Sequence, residues 1–491
     1  MFTEKILKKL IENIHSFSNR NAFCIDDTYY TYEEFGKIIS KIRKALSDSN
    51  LLEKNIGLVV NDDIETYASI FALWMEGKCY VPLHPNQPLD RCVDIMSQID
   101  SKSILDSSSE TRYFDYNVIE TSKLNEVADS YFEDLKGLDD DLAYILFTSG
   151  STGKPKGVML SRKNLTAFVD SYFALGYQIT EEDRCLQCFD LTFDLSVGSY
   201  IIPMLKGACS YTVPLDVIKY SKVYELFEDY ELTSALMVPS TIRYLEPYFD
   251  EINLPKLRYC LFCGEALYVD IIEKWKKCIP NAVIDNVYGP TEDTIYCSAY
   301  RCGDNIKNHN GVICIGKAMK NSELIIVDED SNVIEGSDHG ELCLAGDQLT
   351  QGYVNNPEKN KEAFFMLGSK RYYRTGDICY RDSDGDFMYV GRKDSQAKIQ
   401  GFRVELSEVE FHAKEYLKGR NLVALAYTND KHLTEIVMFI EGSSFDVSDL
   451  TEYMRSKMPS YMIPSRILFE PTFPLNVNGK TDKVRLKTLI K

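Results

Sequence analysis

Residues 142–147, Leu-Ala-Tyr-Ile-Leu-Phe, form an unbroken apolar run that empties into Thr148-Ser149-Gly150-Ser151-Thr152-Gly153-Lys154-Pro155-Lys156-Gly157. A short apolar run bounded by glycine and proline reads as a buried strand. The stretch behind it is built almost wholly of Gly, Ser, Thr and Lys. Glycines let the backbone fold closely around an anion, hydroxyls and amide N–H groups donate hydrogen bonds, and two lysines add positive charge. This is the composition of a phosphate-gripping loop. The G-x-x-x-x-G-K-[ST] order of P-loop nucleotidases is absent, because Pro155 follows Lys154. Helical periodicity over 163–175 completes a strand–loop–helix unit.

The same alternation recurs along the chain. Helical spacing over 32–46 precedes a strand-like run at 56–60, and 67–75 precedes Cys79-Tyr80-Val81-Pro82-Leu83. Further strand-like runs at 234–238, 259–263 and 282–287 have helical stretches between them. Such order predicts βαβ units and mainly parallel sheets. The segment 107–136 is polar and weakly periodic, and reads as surface connection. From about Gly311 the texture changes to short strands with turn signals, at 323–327, 341–345 and 386–390, predicting a β-rich subdomain. Asp382-Ser383-Asp384-Gly385-Asp386 has the opening of an EF-hand loop, but its twelfth position is Lys393, so a hairpin turn is expected. After a boundary near Asp394, residues 405–417 read as a helix of a small α+β module.

At 491 residues and 44% apolar content the chain is long enough for several domains. The first 17 residues read as an amphipathic helix rather than a signal peptide, and no apolar run has transmembrane length, so a cytosolic chain without membrane insertion is expected. The net charge of −19 argues against a nucleic-acid partner. The acidity is uneven, since residues 395–491 hold 14 Lys and Arg against 12 Asp and Glu. Of the 14 cysteines, Cys185/Cys188 and Cys260/Cys263 have C-x-x-C spacing. Both pairs sit in strand-like runs, where residues three apart face opposite sides, so buried apolar cysteine is the expected reading.

Other stretches carry chemistry of their own. Asn286-Val287-Tyr288-Gly289-Pro290-Thr291-Glu292 ends a strand with an aromatic ring able to stack on a base and a carboxylate able to hold Mg²⁺. Tyr373-Arg374-Thr375-Gly376-Asp377 offers an aspartate suited to chelating ribose hydroxyls. Taken in order, these resemble the adenylate-forming superfamily, specifically the amino-acid adenylation domains of nonribosomal peptide synthetases and the stand-alone D-alanine–carrier-protein ligases. The resemblance spans nearly the whole chain. It also rests on Tyr30-Thr31-Tyr32-Glu33-Glu34-Phe35, Gly77–Leu83, Phe193-Asp194-Leu195-Ser196-Val197, Phe262-Cys263-Gly264-Glu265, Gly340-Glu341-Leu342, Gly391–Glu405 and Asn478-Gly479-Lys480.

The resemblance implies an α/β protein of several subdomains. A large N-terminal domain (1–393), with two α/β sheet lobes and a β-rich subdomain, precedes a small mobile α+β C-terminal domain (394–491) hinged near Asp394. It implies ATP and Mg²⁺. A carboxylate attacks the α-phosphorus, and a carrier-protein phosphopantetheine thiol, supplied in trans, then displaces AMP. In such an enzyme Thr148, Ser149, Gly150, Ser151, Thr152, Gly153 and Lys156 would hold the β- and γ-phosphates. Thr291 would meet the α-phosphate and Glu292 the metal. Tyr288 would stack on adenine, Asp377 and Arg392 would contact the ribose, and Gly264, Glu265, Asn286, Gly289 and Tyr389 would complete the ATP site. Lys480 would bridge the substrate carboxylate and the α-phosphate, and rotation about Asp394 would bring in Lys398 for the second step.

Asp194 matches the aspartate that pairs with an α-ammonium group in amino-acid activators. The other pocket positions, Leu195, Gly198, Met237, Leu261, Cys263, Val287, Ile295 and Tyr296, carry no charge, so a neutral amino acid is expected. The Phe-Asp-Leu-Ser-Val and Phe-Cys-Gly-Glu runs look more like the D-alanine ligases than like typical synthetase modules, while Gly198 would enlarge the pocket and leaves a bigger neutral amino acid open. An acyl-CoA ligase with a small-molecule acceptor would have no need of Asp194. A relative that only binds nucleotide would have no need of Lys480 and Glu292.

Overall fold

The structure, a computed structural model, describes residues 1–150, 153–394, 396–475 and 481–490. It divides into two compact units. The first comprises Met1–Pro85, Met96–Leu146 and Gly157–Gly391; the second comprises Asn86–Ile95, Phe147–Lys156 and Arg392–Lys491.

Two large sheets organise the first unit. One has nine strands in the order Lys317–Ala318, Ser298–Arg301, Val283–Tyr288, Tyr259–Phe262, Ser234–Met237, Arg184–Gln187, Cys209–Thr212, Asn21–Ile25 and Thr28–Thr31. Its central pairings are parallel and its outer ones antiparallel. The other has seven strands in the order Gly352–Tyr353, Lys156–Ser161, Leu142–Thr148, Cys79–Leu83, Asn55–Val59, Ser103–Asp106 and Asn117–Glu120. Central strands here are buried on both faces and so lack alternation: Cys79–Leu83 is buried at every position. The strand Asn117–Glu120 corrects the reading of 107–136 as connection. It is an edge strand, partly exposed along its length, and adds in parallel to Ser103–Asp106.

Helices follow the strands as the alternation predicts. Ser161 caps Arg162–Ala174 with a capping box in which Asn164 answers, and Thr31 caps Tyr32–Asp48 with Glu34 in the same way. Fully buried Trp74 and Trp275 anchor the core. The β-rich part is an antiparallel sheet, Ser322–Val327, Gly340–Gly346, Lys370–Arg381 and Phe364–Leu367, with Phe387–Arg392 pairing Lys370–Arg381. The Asp382–Asp386 turn joins two of these strands. Its carboxylates surround a lysine: Lys307 Nζ lies 2.9, 2.7 and 2.5 Å from Asp382, Asp384 and Asp386. All 14 cysteines are buried, and none forms a disulfide among the described residues.

In the second unit, the hairpin Gln396–Ile399/Phe402–Glu405 turns through Gln400 and Gly401, both at positive φ, as a two-residue hairpin loop requires. The strands Leu422–Thr428, Thr434–Glu441 and Arg466–Glu470 form a sheet buried on both faces. Leu422 and Ala424 pack with Val409 and Ala413 of the helix Leu406–Leu417, while Val423 and Leu425 pack with Leu486 and Ile490. No helix among the described residues is long and apolar enough to cross a membrane.

Candidate functional site

In the first unit, the strand Val283–Tyr288 carries Tyr288 to a tight turn. A Cβ on Gly289 would stand 2.4 Å from the Tyr296 Cα, so only glycine lets these backbones approach. The Tyr288 hydroxyl donates to Asp377 at 2.5 Å, and burial with that carboxylate pushes the phenol well above its usual pKa. Asp377 itself sits beyond Gly376, at positive φ, and its amide donates to the Thr375 hydroxyl. The base-stacking and ribose residues expected from the sequence are therefore brought together. Glu292 is 0% exposed in the short turn Thr291–Asp293, and the Tyr353 hydroxyl donates to it at 2.6 Å. Nothing in the sequence near Tyr353 marked it as that carboxylate's partner.

Glu265, following Gly264 at positive φ, accepts from the Ser240 amide at 2.8 Å. The Asn286 side-chain amide donates to the carbonyls of Ile313 and Cys314. Tyr389 lies half-buried on the strand Phe387–Arg392.

Asp194 stands at the head of the helix Leu195–Met204 but makes no side-chain capping bond there, so capping does not account for it. The turn before it is shaped by Asp190, whose carboxylate accepts from the Thr192 amide and hydroxyl and pairs with His84 at 2.9 Å. Leu195, Met237, Leu261, Cys263, Val287, Ile295 and Tyr296 are all buried. Gly198 faces Phe168 and Ile295 with room for a Cβ at ordinary contact distance. A small cavity of about 30 Å³ is lined by Gly198, Leu261 and Tyr296 together with Tyr172, Ile202 and Ser234.

The glycine-rich loop belongs to the second unit. Thr148 ends its strand with a buried hydroxyl that has no partner among the described residues. Ser149 Oγ donates to the Arg403 carbonyl at 2.8 Å and accepts from the Glu405 amide at 3.0 Å. The Gly150 amide donates to Glu408 at 2.8 Å, and Arg91 donates to the other oxygen of that carboxylate at 2.7 Å. Lys156, buried, lies 3.9 Å from Glu405. Gly153, at positive φ, is covered by the Phe411 ring. Ser151, Thr152 and Lys480 lie outside the described residues. Arg392 forms a two-pronged pair with Asp394, at 2.9 and 2.6 Å, and Lys398 sits on the hairpin strand opposite Arg403. The sequence reading passed over Arg91 and Glu408, which are 317 positions apart and share no local signal.

The model of a family described as AMP-binding enzyme matches residues 10–354. A D-alanine–D-alanyl carrier protein ligase of Lacticaseibacillus casei is 28% identical over 484 residues, covering 95% of this chain and 95% of that protein. Tyrocidine synthase 1 of Brevibacillus parabrevis is 29% identical over 491 residues, covering 97% of this chain and 44% of that protein. Among solved structures, the Vibrio cholerae adenylation domain AlmE in complex with glycyl-adenosine-5'-phosphate superposes with a TM-score of 0.87 at 25% identity, covering 98% of this chain and 97% of that one.

Proposed function

The chain belongs to the AMP-binding enzyme family, and from that premise we propose that it activates a small neutral amino acid with ATP and passes it to the phosphopantetheine thiol of a carrier protein. Similarity to carrier protein ligases over nearly the full length of both chains supports the reaction class. The observation that carries the substrate class is Asp194, a buried carboxylate at the head of the helix that holds Gly198, with no charge at the other expected pocket positions. A buried carboxylate needs a cation. The ammonium of an amino acid supplies one, whereas an aryl or fatty acid would not. The apolar walls and the small void beside Gly198 favour a short side chain, with D-alanine and glycine the foremost candidates.

In the first step a carboxylate oxygen of the amino acid attacks the α-phosphorus. The bond to the β-phosphate breaks and pyrophosphate leaves. In the second, the carrier's thiolate sulfur attacks the acyl carbon, the bond to AMP breaks, and a thioester remains. Both partners of the first step are anions, so fixed cations and dipoles do most of the work. Lys480 would bridge the substrate carboxylate and the α-phosphate. Thr148, whose buried hydroxyl has no partner among the described residues, and the loop amides would grip the outer phosphates. Tyr288 and Asp377 would hold the adenosine, and Lys398 would serve thioester formation.

Glu292 fits a magnesium ligand: it is a fully buried oxygen donor oriented by Tyr353, and one carboxylate with substrate phosphates is a set that Mg²⁺ accepts. When bound, the metal would neutralise charge on the triphosphate. Exchange of labelled pyrophosphate into ATP, run across the common L- and D-amino acids and glycine, tests the reading. Exchange with a small neutral amino acid is the expected result. Exchange with none removes the proposal, and exchange only with a large or charged one removes its substrate class.

A further inference from the structure

The loop read above as the phosphate grip is not waiting empty of partners. Glu408, on the helix Leu406–Leu417, is 0% exposed, and its two oxygens are divided between two donors. Arg91 Nη1 takes one at 2.7 Å and the Gly150 amide takes the other at 2.8 Å. Arg91 comes from the helix Leu89–Gln98, and its side chain is only 6% exposed. The Ser149 hydroxyl is engaged as well, by the backbone of Arg403 and Glu405. A Cβ at Gly150 would strike the Lys154 carbonyl at 2.0 Å, so the loop is closely wound where its amide points at the carboxylate.

One backbone N–H and one guanidinium converging on a pair of acidic oxygens is the pattern by which proteins hold phosphate as well as carboxylate. Arginine's planar fork suits either ligand. Neither donor is cheap to leave unmatched in a buried place, and neither is the carboxylate. The three groups therefore make a site that demands an anion, and this chain supplies one from its own sequence.

We propose that Arg91 and the Gly150 amide form a single anion clamp, filled by Glu408 in the absence of nucleotide, and that a phosphate group of ATP or of pyrophosphate occupies it by displacing Glu408. The inference rests on the reading of the loop as the triphosphate site. It adds Arg91 to the phosphate-binding residues and makes Glu408 an internal competitor of the substrate. Phosphate entry expels the carboxylate, and departure of pyrophosphate lets it return.

The test is a calorimetric titration of the full chain with MgATP, and separately with magnesium pyrophosphate, no amino acid being present. Glu408→Gln keeps the shape of the side chain and removes its charge, so affinity for both ligands rises by about tenfold. Arg91→Gln lowers affinity for both by about tenfold. Opposite signs are diagnostic, because breaking a merely structural ion pair from either side would weaken binding alike. Affinity in Glu408→Gln that stays within twofold of wild type, or falls, overturns the proposal. A response to pyrophosphate but not to ATP would assign the clamp to the product, and the reverse to the substrate. Should either variant fail to fold, hydrogen exchange on the wild-type chain decides: saturating MgATP must lower protection around Glu408, and unchanged protection overturns the proposal. Absence of ATP binding by the wild type overturns it too. Intact ATP binding without pyrophosphate exchange for any amino acid overturns only the activity proposed above.

Discussion

The turn Tyr288–Cys297 and the glycine-rich loop are both tight backbone features, but they are held in opposite ways. The turn closes on itself, the Cys297 amide donating to the Tyr288 carbonyl, and is tied down by Gln348 and Thr350 of the same unit. Gln348 donates to the carbonyls of Asp293, Thr294 and Tyr296, and Thr294 and Ile295 sit at positive φ, a conformation that costs energy outside glycine. The loop instead satisfies its groups with a carboxylate, a carbonyl and an amide from residues 403–408. The first is preorganised, with its geometry fixed before any ligand arrives. The second is borrowed, and contacts of that sort can be exchanged. On the function proposed above, the rigid parts would place the base, the metal ligand and the amino acid, while the exchangeable parts would follow the phosphates as they come and go.

The largest effects should separate chemistry from architecture. Lys480→Ala is expected to reduce pyrophosphate exchange by roughly 10²–10³-fold while MgATP still binds. Retained exchange would show that this lysine was misassigned. Asp194→Ala belongs to the rigid side. It should raise KM for the amino acid by roughly 10²-fold, the penalty for stranding a buried charge, with KM for ATP unmoved. A change in both constants would mean that the pocket and the nucleotide groups are not independently placed.

A buried carboxyl outside both regions gives a third effect, read in stability rather than activity. Asp62 is buried and, among the described residues, accepts only from the Tyr67 hydroxyl, at 2.5 Å, and its carboxyl is pushed up to about 8, chiefly by burial. Between about pH 4 and pH 8 the folded chain keeps this proton while the unfolded chain loses it, so stability falls as pH rises through that window. Asp62→Asn should remove the slope, melting above wild type at pH 8 by an amount equivalent to a few kcal/mol and close to it at pH 5. Equal melting differences at the two pH values would rule out a neutral Asp62. Next in size, Gly289→Ala should cost about 1–3 kcal/mol by forcing apart backbones that cannot yield. Unchanged melting would show that the turn is softer than its packing implies.

Much of this was legible in the sequence, for local reasons. The strand Leu142–Thr148 and the helix Arg162–Ala174 were readable because an apolar run and a 3.6-residue period both need only neighbouring residues. Asp382–Asp386 was readable as a turn from its composition. The strands Asn21–Ile25 and Thr28–Thr31 were missed because Asp26-Asp27, both at positive φ, make a hairpin turn without the usual glycine. The strand-end position of Asn286 says nothing of the carbonyls it finds at Ile313 and Cys314. Tyr353 with Glu292, and Arg91 with Glu408, meet only through tertiary folding. A buried arginine or tyrosine carries no periodic signature that announces its partner.

The smallest predicted effect probes the borrowed side directly. Phe411 is 42% exposed, yet its ring lies over Gly153 so closely that a Cβ there would stand 2.4 Å from it. Removing a half-exposed ring sacrifices little buried surface, so Phe411→Ala should change stability by about 1 kcal/mol or less. What it removes is a cover on a loop whose remaining ties are exchangeable. Amide exchange near Gly153 should therefore quicken while the amides of 288–297 keep their wild-type protection. Equal loosening of both stretches would show that they open as one cooperative element, and the distinction between a fixed turn and a borrowed loop would fall. Loosening confined to the loop would show that its order comes from residues 403–411 and not from its own sequence.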